Sequence, residues 1–226
     1  MTAETTQTAL RTERFGAGFT EGDPQRPDER TSNWLEAVNV GFHDPNWDPA
    51  HRASIVQAYV ADGRTLTGVY EDGAPEHAWN PNAPVATYAT MSHDLNAGAG
   101  LLPAHQITSV TVRPTHRRRR ILTNMMTEAL RSAKQGGFAV AALFASEAVI
   151  YGRFGFGAAT AEAMVEVDVR GRLELRTAPS GTTVLADLAR MEKLAPQVFA
   201  RHLEVTRGAL GRQVGYAKRA AGLWGD

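Results

Sequence analysis

The sequence contains no cysteine, which excludes disulfides, thiolate metal ligands and a cysteine nucleophile. It has no excess of charge of either sign, since Lys+Arg and Asp+Glu both total 24. No bulk field draws the chain towards nucleic acid, so any basic cluster needs a local cause. No window approaches the roughly 20 apolar residues that span a bilayer. The start, MTAETTQTALRTERFGAGF, has neither a positive n-region nor an apolar core, so no secretory signal is read there. A cytoplasmic protein that binds no membrane is expected. The phosphate-loop pattern G-x-x-x-x-G-K-[ST] is absent. The histidines lack metal-ligand spacing such as H-x-x-x-H, and no metal is expected.

With 226 residues, the chain can bury a sizeable core as one large domain or one and a half smaller ones. Residues 1–10 and the stretch TEGDPQRPDERTSN are polar and rich in Pro and Asp, which predicts a disordered tip and a loop. Trp34, Leu35, Val38 and Phe42 recur at helical spacing. A second helix is marked by Asp48 as N-cap, Pro49 at the first helical position and Gly63 as the stop. TLTGVYE, PVATYATMSHDL and HQITSVTVRP predict strands, with DGAPEHAWNPNA as a loop between the first two. After Pro114 the period changes, and Ile121, Leu122, Met125, Met126, Ala129, Leu130 and Ala133 form an apolar helical stripe closed by Gly136 and Gly137. FAVAALFA reads as a strand covered on both faces. SEAVIYGRFGFG reads as about one helical turn capped by Ser146, and AEAMVEVDV as a further strand. Beyond Arg170 a strand is predicted over about 182–186 and a helix to about Leu203, before a tail of weak periodicity. The fold class is α/β with a mixed sheet.

The stretch VRPTHRRRRILTNMM sets four consecutive arginines before the helical stripe. Cations are the wrong charge for a helix N-terminus, whose unpaired N–H groups and macrodipole favour anions. Those N–H groups and guanidinium donors together form an anion site, and phosphate is the best geometric match. The competing reading is a solvated charge run on a surface helix. A nucleic-acid patch is poorly supported, because aromatics are not interleaved and the overall charge is neutral.

Strand, Arg-rich turn, helix, strand is also the order of the acyl-coenzyme A site in the GNAT N-acetyltransferases. Of their pattern [Q/R]-x-x-G-x-[G/A], Arg117 matches the first position and Leu122 the last only loosely. The wider segment is more specific. SVTVRPTHRRRRILTNMM followed by VAALFASEAVIYGRFGFGAAT closely resembles the N-terminal domain of the enhanced intracellular survival (Eis) acetyltransferases. Their hallmarks are V-x-V-x-P-T-H-R-R-R-G-[IL]-L and A-S-E-x-x-I-Y-G-R-F-G-[YF]-G. The resemblance is strong over residues 109–160, and diffuse but collinear over 35–203. It implies a GNAT fold with a mixed, mostly antiparallel sheet flanked by helices over residues 1–165. Residues 166–226 would then begin a central GNAT-like region. It further implies acetyl-CoA as co-substrate and a homo-oligomer for the full-length form.

By that resemblance, the strand of Val110, Thr111 and Val112 pairs with the pantetheine amides as an added strand would. Arg117, Arg118, Arg119, Arg120, Ile121, Leu122 and Thr123 wrap the diphosphate, and Ser146 and Glu147 form a second coenzyme-contacting stretch. Where the family has glycine this chain has Arg120, although glycine lets backbone approach the diphosphate without a Cβ. Arg120 is expected to keep helical dihedrals, its side chain either over the phosphates or crowding the turn. Tyr151 matches the tyrosine that protonates the coenzyme thiolate, and a phenol with a pKa of about 10 holds its proton at pH 7. Without the motif, Tyr151 reads as a packing residue. The Val112 N–H is the expected polariser of the thioester carbonyl. In the family the base is the terminal carboxylate of a longer chain, so a base is expected to be missing here; His93 and Glu147 are stand-ins, and neither is assigned. The implied function is acetyl transfer to a small-molecule amine or lysine-bearing acceptor, aminoglycoside-like and polyamine amines included. The alternatives are a non-catalytic acyl-coenzyme A-binding module and, less well supported, a nucleic-acid binder using residues 117–120.

Overall fold

The structure, a computed structural model, describes residues 9–73, 77–160, 165–168, 170, 171, 177, 178 and 180–223. Strands β1 (Leu10–Gly16), β4 (Thr65–Glu71), β5 (Ala86–Asn96), β6 (Leu101–Val112) and β7 (Val140–Leu143) form a five-stranded sheet in that order. Every ladder is antiparallel except β6 with β7. A parallel neighbour needs a crossover, and helix α3 (Ile121–Gln135) supplies it. This is the mixed, mostly antiparallel sheet expected from the sequence.

Helices α1 (Glu29–Phe42) and α2 (Pro49–Ala61) begin where side-chain caps satisfy their free N–H groups. The Asp28 carboxylate accepts from Thr31 N, and that of Asp48 from Ala50 N and His51 N, with Pro49 opening α2. Trp34, Leu35 and Val38 of α1 join Ile55, Val56 and Tyr59 of α2 on Leu66 and Ala89 of the sheet. Ile121, Met125, Met126 and Ala129 of α3 pack instead on Val69, Tyr88 and Ile107. Leu66 and Val69 are an odd number of residues apart, as are Tyr88 and Ala89, so the two cores lie on opposite faces of the sheet.

Several elements differ from the sequence reading. The stretch read as a loop holds a small hairpin, β2 (Phe19–Thr20) with β3 (Asp23–Pro27), and then the start of α1. Its tight turn is made by Gly22 at φ 77°. β1 was not anticipated, because LRTERFG is an edge strand whose charged residues break the apolar alternation. β7 is only half-buried and pairs with β6 alone among the described residues, rather than being covered on both faces. The disordered tip, residues 1–8 of it, lies outside the described residues, as does much of the strand expected over 161–169. Residues 182–186 are exposed and have no ladder, since β-branched side chains do not make a strand without a neighbour to pair with. Ser146 caps nothing: Glu147 occupies the cap of the short turn over Ala148–Ile150, with no side-chain bond. Helix α4 (Leu188–Val205) is where expected, and a short α5 (Val214–Ala220) follows.

The segment after α4 is tied to the sheet by polar contacts. Asn96 Nδ2 donates to the Leu203 and Glu204 carbonyls, both at 2.8 Å, and Leu210 bridges Leu95. The fully buried Asp62 carboxylate accepts from Arg64 at 2.7 Å and from Val214 N at 2.8 Å. Arg64 also donates to Gln213 Oε1 at 2.7 Å and lies 3.9 Å over the Tyr59 ring. No helix among the described residues is long and apolar enough to cross a membrane.

Burial lowers the pKa of His105, whose ring leans on Phe138 at 5.1 Å. Because the unfolded imidazole, at about 6.5, takes up a proton more readily than the folded one, this contribution is complete above that pH and is lost as pH falls below it. The melting temperature is therefore expected to decline from pH 7 to 5, and His105→Gln to make that decline shallower. Thermal melts of both proteins across the range provide the check.

Candidate active site

β6 is longer than its parallel partner. Residues 104–107 pair with 140–143, and then β7 ends while β6 runs on to Val112. Beyond Ile107, β6 keeps β5 on one side and has no strand on the other among the described residues. Its register on β5 slips at the same place: Ala89 faces Thr108, yet Thr87 faces Thr111. That is one extra residue on β6, a bulge, and Ser109 carries it at φ 54°. The Arg113 N–H donates to Val85 O at 2.8 Å. By strand alternation the preceding N–H, that of Val112, points to the unpaired edge. The side chains of Val110 and Val112 pack into the α3 core, so what they offer at this edge is backbone.

The edge leads directly into the arginine turn. Pro114–His116 makes one 3₁₀ turn, and α3 starts at Ile121 with Arg120 in the cap position. Arg118 has φ 64° and Arg120 φ 62°, both left-handed. Arg120 thus does not keep helical dihedrals: the turn demands the conformation that glycine adopts at no steric cost. No side chain caps α3 and its first turn has no acidic residue, leaving its first N–H groups available to an anion. Arg117, Arg118 and Arg120 are exposed, whereas Arg119 is turned inward. Its Nη1 lies 3.4 Å from Glu71 Oε1, and His116 Nε2 lies 3.1 Å from Glu71 Oε2. Glu71, at the end of β4, is the member of this group that sequence reasoning missed. A carboxylate closing a buried strand is the one local signal it carries, and its partners lie 45 or more residues on.

Tyr151 stands between two 3₁₀ turns, Ala148–Ile150 and Gly152–Phe154. It is 8% exposed and meets Phe156 edge-on at 6.0 Å. Its core also contains Ile107, Val110, Val112, Ile121 and Leu122. The structure therefore brings Tyr151, the β6 edge and the start of α3 into one cluster. Burial pushes the phenol pKa up, so it remains a proton carrier at neutral pH. Thr123 is half-buried in the first turn of α3. Ser146 and Glu147 are exposed beyond the end of β7 and outside that cluster. His93 lies elsewhere, with Nε2 3.9 Å from Asp62 Oδ1 and its pKa lowered by burial.

A family model described as an acetyltransferase (GNAT) domain matches residues 26–159. An uncharacterized N-acetyltransferase of Streptomyces avermitilis is 36% identical over 187 residues, covering 80% of this chain and 42% of that protein. N-acetyltransferase Eis of Mycobacterium tuberculosis is 45% identical over 84 residues, 37% of this chain and 21% of Eis. The chain thus spans about two-fifths of the length of the first of these relatives. Among solved structures, a Trypanosoma brucei acetyltransferase superposes with a TM-score of 0.51 at 15% identity, covering 70% of this chain and 100% of that one. That likeness supports the fold.

Left-handed backbone costs an L-residue about 1–2 kcal/mol, partly offset in a glycine variant by about 0.5–1 kcal/mol of backbone entropy. Arg120→Gly is therefore expected to stabilise the chain by about 0.5–1 kcal/mol, a rise of a few degrees in melting temperature. A lower melting temperature would mean that contacts of the arginine side chain outweigh the strain it relieves.

Proposed function

Since the chain belongs to the family of GNAT acetyltransferase domains, we propose that it moves acetyl from acetyl-CoA to an amine, in the manner of the Eis type, with residues 1–165 as the acetyltransferase domain. The observation that carries this is the length of β6 past Ile107, which has no strand beside it on the β7 side among the described residues and runs straight into an uncapped helix start. A coenzyme has two parts to match: amides along the pantetheine arm and a diphosphate. The edge at residues 110–112 suits the first, as strand addition does elsewhere. The turn at 117–120, with the N–H groups of Ile121, Leu122 and Thr123, suits the second. Identity with Eis over 84 residues favours that type.

The chemistry follows from the groups present. A neutral amine attacks the thioester carbonyl, so the C–N bond forms as the carbonyl oxygen becomes an oxyanion. The Val112 N–H at the free edge stabilises that charge. The C–S bond then breaks, and the departing thiolate takes the Tyr151 phenolic proton while the ammonium gives its proton to solvent or to a base. A phenol that burial keeps protonated is suited to this role. Acceptors with aminoglycoside-like, polyamine or lysine amines fit the scheme equally.

Acetyl-CoA at a hundredfold excess over Kd is expected to stabilise the fold by about 2.7 kcal/mol. Free thiol should be released only in the presence of an amine, which a thiol assay against an amine panel detects. Tyr151→Phe should leave coenzyme affinity unchanged and lower turnover by about 10²–10⁴. Coenzyme binding without thiol release would support a binding module instead. No thermal or calorimetric response at millimolar coenzyme would remove the proposed site.

A further inference from the structure

The β6 bulge needs a cause. Ser109 is neither glycine nor asparagine, yet it sits at φ 54°, a conformation that persists only where the surroundings over-determine it. The surroundings here are a small buried hydroxyl chain. Thr87 on β5 is fully buried, and its Oγ1 donates to the Ser109 carbonyl at 2.9 Å. With that proton committed, Thr87 Oγ1 accepts from Thr111 Oγ1 at 2.7 Å. Thr111 is in turn wedged under α1 at Gly41, where any Cβ would come within 2.4 Å of the threonine Cβ. The residues before and after Val110 are therefore held from β5 and α1, Ser109 by the Thr87 hydroxyl and Thr111 by Thr87 and the close approach of Gly41, rather than from the side of β7.

We propose that Thr87 is a positioning residue for the coenzyme: its hydroxyl fixes Ser109 in left-handed backbone and so sets where the amides of residues 110–112 point. This deepens the reading of β6 as the pantetheine edge and rests on it. The reasoning is geometric. An edge that adds a strand must present its N–H and C=O groups at fixed spacing, and a bulge re-aims them by a whole residue. Without the Thr87 hydroxyl, the Ser109 carbonyl loses its side-chain donor and the backbone is released towards the extended region. The ladder to β5 would then slip, turning the Val112 N–H away from the edge.

The test is calorimetric titration with acetyl-CoA of the wild type, Thr87→Val and Thr87→Ser, with Val56→Ala as a control for stability alone. Val56 is in the α1/α2 core, on the opposite face from α3. Thr87→Val keeps the shape and loses the donor, and its Kd should rise about tenfold, the equivalent of one hydrogen bond. Thr87→Ser keeps the hydroxyl and should stay within about twofold. Val56→Ala should lower the melting temperature with no change in Kd. A Thr87→Val protein that binds coenzyme like the wild type while merely melting earlier would reduce Thr87 to a structural residue and overturn the proposal. If that variant does not fold, Thr87→Cys takes its place, since a thiol is a weak donor. Affinity for Thr87→Cys equal to Thr87→Ser would then overturn it. Failure of the wild type itself to bind coenzyme overturns the reading of the edge and, with it, the role of Thr87.

Discussion

The parting of β6 from β7 after Ile107 is the constraint on which the rest of the site depends. A sheet normally satisfies every backbone group of an inner strand from both sides. Here β6 lies between β5 and β7 over residues 104–107 and, past Ile107, has β5 as its one neighbouring strand among the described residues, with a bulge just beyond that point. α3 makes the crossover from β6 to its parallel neighbour β7, and its first turn, with Ile121 and Leu122, packs with Val110 and Val112 of the stretch past Ile107. Tyr151 arrives from the far side of β7 into the same core. Edge, helix start and phenol thus meet where β6 leaves regular pairing with β7.

The arginine turn shows a second kind of economy. Two of its residues hold left-handed backbone that an L-residue adopts at a cost of about 1–2 kcal/mol each. Strain of this size tends to collect at functional sites. Glu71 offsets part of the electrostatic difficulty by engaging Arg119 and His116 from the end of β4. The exposed guanidiniums of Arg117, Arg118 and Arg120 then face solvent beside an uncapped helix end, an arrangement that suits an anion.

Local pattern made some of this legible in the sequence. α2 could be read because its cap, its opening proline and its glycine stop agree, α1 and α3 from their apolar period, and β4 to β6 from β-rich runs bounded by turn residues. β1 and α5 could not: the first is a charged edge strand and the second a seven-residue helix. At the site, motif residues pointed to the edge, the turn and Tyr151. Arg120 was misread as helical because dihedrals are set by the path of the turn and not by the residue. Glu71 and Thr87 were illegible for a common reason, that their roles exist only through partners brought close by the sheet.

The buried Asp62 also has a bearing on how the protein is made. Its second partner, the Val214 amide, lies 152 residues further along the chain. At synthesis rates of about 5–20 residues per second, that gap lasts on the order of 10–30 s. During this interval α1, α2 and the first strands are already synthesised, and of the groups placed beside the carboxylate Arg64 and His93 precede the Val214 amide. Until those later residues are translated, α2 lacks its α5 neighbour and β5 the carbonyls that Asn96 holds, so the outer side of this core is closed last.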